Sequence, residues 1–168
     1  MLVLGEFKSY DSRLSIGYPI VDIIDHSDGG IIEKGAVNTV PDQILIQGTL
    51  ASNAIASYTW RGGSPFPSTP GADWRIVGSL GELHLTSSSW SLNVGRDDTK
   101  LQFFDKASGV VEDVEVESDE WDVLPWPARN IARLFEAHRK GEWVPDFKWA
   151  VRRHEFLEEL WRRFDASQ

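Results

Sequence analysis

The sequence contains no cysteine. That removes disulfides, thiolate metal sites, iron–sulfur clusters and a cysteine nucleophile in one step. It fits a reducing compartment, and a cytoplasmic location is expected. No G-x-G-x-x-G follows a strand and no P-loop is present, so no dinucleotide or nucleotide cofactor is expected. Basic residues are in deficit. Lys plus Arg is 17 against 26 Asp plus Glu, a formal charge of −9. An acidic chain repels phosphate backbones, so no nucleic-acid partner is expected. No apolar run approaches the roughly 18 residues of a membrane span. The start, Met1–Glu6, has no basic leader region, so neither a membrane contact nor a signal peptide is expected. His26, His84, His138 and His154 show no paired ligand spacing, so no metal is expected.

Tryptophan is abundant instead, with eight in 168 residues. Each is a large apolar body with one N–H that needs a partner. The length suits one domain, 1–168, with a real hydrophobic core.

The first three quarters of the chain read as strands. Leu2–Ile16 alternates loosely. Pro19–Asp25 and Ile31–Val37 flank the turn signal His26-Ser27-Asp28-Gly29-Gly30. Gln43–Ser52 and Ala54–Arg61 follow. Gly62–Ala72 is rich in Pro and Gly and must be a loop. Asp73–Val77, Glu82–Thr86, Trp90–Val94, Leu101–Phe104 and an acidic edge strand, Val110–Val116, complete the set. Two helices close the chain. Pro127 suits a first helical position and Gly141 a stop. Asp146 is an N-cap candidate. After it Phe147, Ala150, Val151, His154, Leu157, Leu160, Trp161 and Phe164 form one stripe expected to face the core. Strands first and helices last predict an α+β fold: a mostly antiparallel open sheet with helices packed on one face. Trp126, Trp143, Trp149 and Trp161 are expected to lock the helices onto it, while Trp121 has no clear place.

Strand parity sorts the candidate site residues. Ser57, Thr59 and Arg61 share one face of their strand, and Ala56, Tyr58 and Trp60 the other. Gln47 alternates with Ile46, and His84 with Leu83 and Leu85. One sheet face is thus apolar. The other carries Arg61, His84 and amides, either an ordinary wet face or dimer interface, or a ligand-facing surface with convergent donors. Arg61, His84 and Tyr58 are the candidates to polarise a carbonyl. Trp60, Phe66, Trp74, Arg75, Trp90 and Gln47 are the candidate substrate contacts, since tryptophan beside arginine offers stacking and a planar donor fork. The plain alternative is that the aromatics only pin the long loop. His154 reads as a core histidine, and Ser87-Ser88-Ser89 as a turn.

An ordered set of short motifs adds a family. Leu4-Gly5-Glu6-Phe7-Lys8-Ser9, Val40-Pro41-Asp42, Gln47-Gly48-Thr49-Leu50, Arg61-Gly62-Gly63, Pro65-Phe66, Thr69-Pro70-Gly71, Trp74-Arg75-Ile76, Gly81-Glu82-Leu83, Pro127-Ala128-Arg129-Asn130 and Pro145-Asp146-Phe147 occur in this order. Together, over nearly the whole chain, they resemble the C-terminal domain of the glucose–fructose oxidoreductase / inositol dehydrogenase family, closest to the fungal galactose-regulon repressor-like branch. The resemblance implies a sheet domain that normally follows a Rossmann domain binding NAD(P). It also implies substrate contacts and a homodimer formed through the sheet. The family's catalytic lysine and histidine would fall before Met1, so no residue here inherits either role.

Three functions compete. A cofactor-independent enzyme would cyclise or isomerise a hydrophobic secondary metabolite, for instance in a pericyclic, Diels–Alder-type step, by shape and a few donors. A non-enzymatic, repressor-like module would bind or dimerise. A fragment of an NAD(P)-dependent oxidoreductase is the third. The first is the leading expectation, with a hydrophobic small molecule as its partner.

Overall fold

The computed structural model describes residues 3–25, 27–89, 98–115 and 117–167. The strand expected at Trp90–Val94 lies outside them. The fold is α+β. Nine antiparallel strands and two closing helices are present among the described residues. They divide into two compact units, Met1–Gly63 with Asp146–Gln168, and Ser64–Pro145.

The first unit holds a three-stranded sheet in the order β1–β4–β5, built from β1 (Phe7–Ser15), β4 (Gln43–Leu50) and β5 (Ile55–Arg61). It also holds a hairpin, β2 (Ile20–Ile24) with β3 (Ile31–Val37). The hairpin turns where Gly29 takes φ +74°, which favours glycine. Asp42 ties the strand ends together. Its carboxylate accepts from the backbone N–H of Gly17 (2.7 Å) and Tyr18 (2.9 Å) and from the amides of Asn38 and Gln43. Its carbonyl accepts from Gly62 N at 2.6 Å. This hub explains why Val40-Pro41-Asp42 and Arg61-Gly62-Gly63 go together: the first anchors the second.

Helix α2 (Phe147–Asp165) starts at Asp146, whose side chain accepts from Trp149 N at 2.7 Å. It packs on β1. Phe156 meets Phe7 and Tyr10, and Leu160 and Phe164 are buried. The buried face keeps Leu160 and Phe164 from the stripe read from the sequence, but not the rest of it. Phe147 is 91% exposed, and Val151, His154, Leu157 and Trp161 are exposed as well. The helix is apolar over a wide arc, and the part that faces inward carries two arginines beside its buried apolar residues. Arg153 pairs with Glu6 and lies 5.4 Å from the Trp149 ring. The Arg163 guanidinium sits 4.6 Å from the Tyr10 ring. Both cations lie on the 153–156–160–163 side that packs on β1, where cation–π contact and pairing hold guanidinium stems against apolar surface.

The second unit holds β6 (Ala72–Val77), β7 (Gly81–Ser87), β8 (Lys100–Asp105) and the edge strand β9 (Val111–Asp113) in sequential order. Helix α1 (Trp126–Arg139) packs on a 3-10 turn, Glu120–Val123. Trp121 belongs to that turn. Trp143 is 64% exposed and Trp161 41%, so neither is a lock between helix and sheet.

Arg133 clamps the turn to α1. It donates through Nε (2.6 Å) and Nη2 (2.9 Å) to the two oxygens of Asp119, and through Nη2 (2.7 Å) to Asp122. The Arg133 guanidinium, with the Trp121 N–H, holds the Asp119 carboxyl below the usual range. The Asp119 N–H and then Arg133 do the same for Asp122. A carboxylate depressed on folding contributes stability above its ordinary pKa of about 4, and that stability is lost as pH falls through the lower folded value. Arg133→Ala is therefore expected to speed amide exchange over residues 119–124 at neutral pH. The difference from wild type is expected to shrink below about pH 4. Hydrogen-exchange mass spectrometry across that range checks it.

Candidate functional site

Strand register builds the candidate site on the four-stranded sheet. Side chains alternate between faces, and directly paired residues share one. Arg75 pairs with His84, His84 with Gln102, and Gln102 with Asp113. These four form one row straight across β6, β7, β8 and β9. Asp73 and Glu82 lie on the same face in the neighbouring rows. Trp74, Ile76, Leu83, Leu85, Leu101 and Phe103 lie on the opposite face.

The polar groups are connected. One Asp73 oxygen contacts His84 Nε2 at 3.0 Å and accepts from Arg75 Nε at 3.3 Å. Arg75 Nη1 also lies 3.6 Å from Glu82. Gln102 Nε2 donates to Asp113 at 2.8 Å. A shared carboxylate fixes the imidazole ring and aims the guanidinium along the sheet, so both are pre-oriented. His84 and Glu82 are 27% exposed at the side chain, so the array is accessible.

The sequence candidates do not all converge. Arg75 and His84 share this face, and Trp74 is on the other. Phe66 is exposed in the loop, where its carbonyl accepts from Thr69. Gln47, Tyr58, Trp60 and Arg61 belong to the first unit. There Tyr58 pairs with Ile46 and Trp60 with Ile44, on the α2 side of the sheet. Gln47 and Arg61 lie on the opposite side, four residues apart in register and so about 13 Å apart. Burial pushes the Tyr58 phenol up, which keeps it a proton-bearing donor. Trp90 lies outside the described residues. Asp73, Glu82, Gln102 and Asp113 were missed, although the i, i+2 spacings Asp73–Arg75 and Glu82–His84 carried the signal.

A cleft of about 630 Å³ beside Asp119, Arg129 and Arg133 holds none of these candidates. Asp119, Asp122, Arg129 and Arg133 there are spent on one another in the clamp. A second, of about 350 Å³, lies between β1 and the last turn of α2. Among the described residues, no group of three His, Asp or Glu could hold a metal ion. No helix among them is long and apolar enough to cross a membrane.

The family model of the Gal80p C-terminal domain matches residues 1–87, more than half of the chain. The chain belongs to the Gal80p C-terminal domain-like family. Solved structures agree on the fold. A super-repressor mutant of Gal80p from Saccharomyces cerevisiae, Gal80(S2), superposes with a TM-score of 0.74 at 18% identity, covering 98% of this chain and 44% of that one. The transcriptional regulator Gal80p from Kluyveromyces lactis gives 0.70 at 20% identity, covering 98% and 42%. This family member thus spans less than half the length of those proteins. No curated protein matches it.

Proposed function

We propose that this domain is a non-catalytic interaction module that pairs with a second copy of itself through the polar face of its four-stranded sheet. The supporting observation is the Arg75–His84–Gln102–Asp113 row. Stack two such faces about a two-fold axis parallel to the strands. Strand order then reverses while position along the strands is kept. Arg75 falls over Asp113 of the second copy, and His84 over Gln102. The row is its own complement, as an isologous interface requires. Exposed Val77 and Val111 meet in the neighbouring row. Family membership supports the reading, since a related structure is that of a transcriptional regulator.

Light scattering on wild type, Arg75→Asp, Asp113→Arg and the double variant tests it. Wild type is expected to dimerise. Each single reversal sets like charges opposite and is expected to weaken association at least about tenfold, and the double variant to recover it. A wild type that stays monomeric, or singles and double that behave alike, would overturn the reading.

One observation favours a second reading, a cofactor-free isomerase or cyclase acting on a hydrophobic metabolite. Asp73 holds His84 by Nε2, which orients Nδ1 as a general base. Incubation with polyene or terpenoid precursors without cofactor tests it. Turnover lost in His84→Gln supports it, and rates equal to buffer refute it.

A further inference from the structure

We infer that the outer edge of β1 is a latent strand-addition site for a second copy of this chain, held closed by Asp11, Arg13 and α2. β1 is an edge strand of the three-stranded sheet. The backbone groups of Tyr10 and Ser12 face away from β4, and an incoming strand would need them. Side chains already occupy them. Ser12 N–H donates to the Asp11 carboxylate at 2.8 Å. Ser12 C=O accepts from Arg13 Nη1 at 3.1 Å. Tyr10 C=O accepts from Arg163 Nη1 at 3.3 Å. Three successive edge groups are thus capped by charged side chains, and α2 lies along the same strand. This is the protection that exposed edges need against pairing.

The sequence under the caps is complementary to itself. An antiparallel pair of β1 strands centred on Ser12 sets Asp11 opposite Arg13 of the second copy, twice over, on the face away from α2. It sets Tyr10 opposite Leu14 on the other face, and Ser9 opposite Ser15. Opposite charges directly across a pair stabilise it, as aromatic–aliphatic pairs do. The side chains that cap the edge internally are therefore the ones that would pair across it. The cap on Tyr10 C=O comes from α2, whose polar anchors on β1 and the segment before it are Arg153 on Glu6 and Arg163 on the Tyr10 ring and carbonyl, 3.9 Å from Asp11. The apolar contacts of Phe156, Leu160 and Phe164 remain when those anchors go. β1 belongs to the first unit and the four-stranded sheet to the second, so the proposal does not rest on that sheet's pairing.

The test uses the full chain in the Arg75→Asp background, where pairing through the four-stranded sheet is disfavoured. Sedimentation velocity compares that background with Arg153→Ala/Arg163→Ala added, and circular dichroism confirms folding. The loosened variant is expected to associate at least about tenfold more tightly than the background. Adding Asp11→Arg sets like charges opposite and is expected to abolish the gain. Adding Asp11→Arg with Arg13→Asp restores the order of charges and is expected to recover it. Arg163→Gln, which keeps the side-chain stem packed, replaces the double alanine variant if that variant does not fold. Association no tighter than the background, or a gain indifferent to the charges at 11 and 13, would overturn the proposal.

Discussion

Gly48→Val is expected to dismantle the three-stranded sheet, at a cost of about 3 kcal/mol or more. A side chain at 48 would drive into the carbonyl oxygen of Ser9 and would stand 2.7 Å from Tyr10 Cα. Both are backbone atoms of β1, so no rotamer change relieves the collision. The pairing is already irregular nearby, with a register shift between Phe7 and Ser9. Tyr10 sits opposite Gly48 in that register and carries Phe156 and Arg163 on its ring. Pushing β1 away would loosen the seat of α2 too. Urea unfolding followed by circular dichroism checks this. Gly78→Ala is the control, since its nearest neighbour would be Gly81 O at 3.6 Å, and it is expected to change stability by less than about 0.5 kcal/mol. Equal effects at 48 and 78 would refute the account.

Asp42→Ala is expected to cost about 2 kcal/mol, less than four charge-assisted bonds would suggest, because the carboxylate is partly exposed. The loss leaves the Gly17 and Tyr18 N–H groups without their acceptor and frees the Asn38 and Gln43 amides. Asp42→Asn keeps one oxygen and should fall between. Partial burial pushes the Asp42 carboxyl up. The donors of Gln43, Gly17, Tyr18 and Asn38 together outweigh that and hold it below the usual range. A depressed carboxyl stabilises the fold above its unfolded pKa of about 4 and ceases to as pH falls through the lower folded value. The gap between wild type and Asp42→Ala should therefore be full at pH 7 and close in acid. Thermal melts from pH 7 down to pH 3 measure it, and a gap independent of pH would refute it.

Much of the local structure was legible in advance. The hairpin about Asp28-Gly29-Gly30, the loop at Gly62–Ala72 and the cap at Asp146 each rest on a local preference: positive φ at glycine, ring-fixed φ at proline, a carboxylate on free helical N–H groups. The site was legible only in part. Parity within one strand put His84 opposite Leu83 and Leu85, and the structure agrees. Parity says nothing about which residue lies beside it on the next strand. Register decides that, and it brought Asp73, Gln102 and Asp113 to His84.

Alone, the sequence determined the order and type of most elements, the antiparallel α+β class and the family, because turn chemistry, hydrophobic period and ordered motifs are local. Only tertiary structure decided the rest. Helix α2 is apolar over so wide an arc that its period could not choose the buried side. Packing of Phe156 on Phe7 and Tyr10, with Arg153 paired to Glu6 and Arg163 stacked on Tyr10, chose it, through partners roughly 150 residues away in the chain. The tryptophans divide for the same reason. Size makes each a candidate for the core, but Trp143 and Trp161 stay exposed because the contacts that orient these elements are made by other side chains.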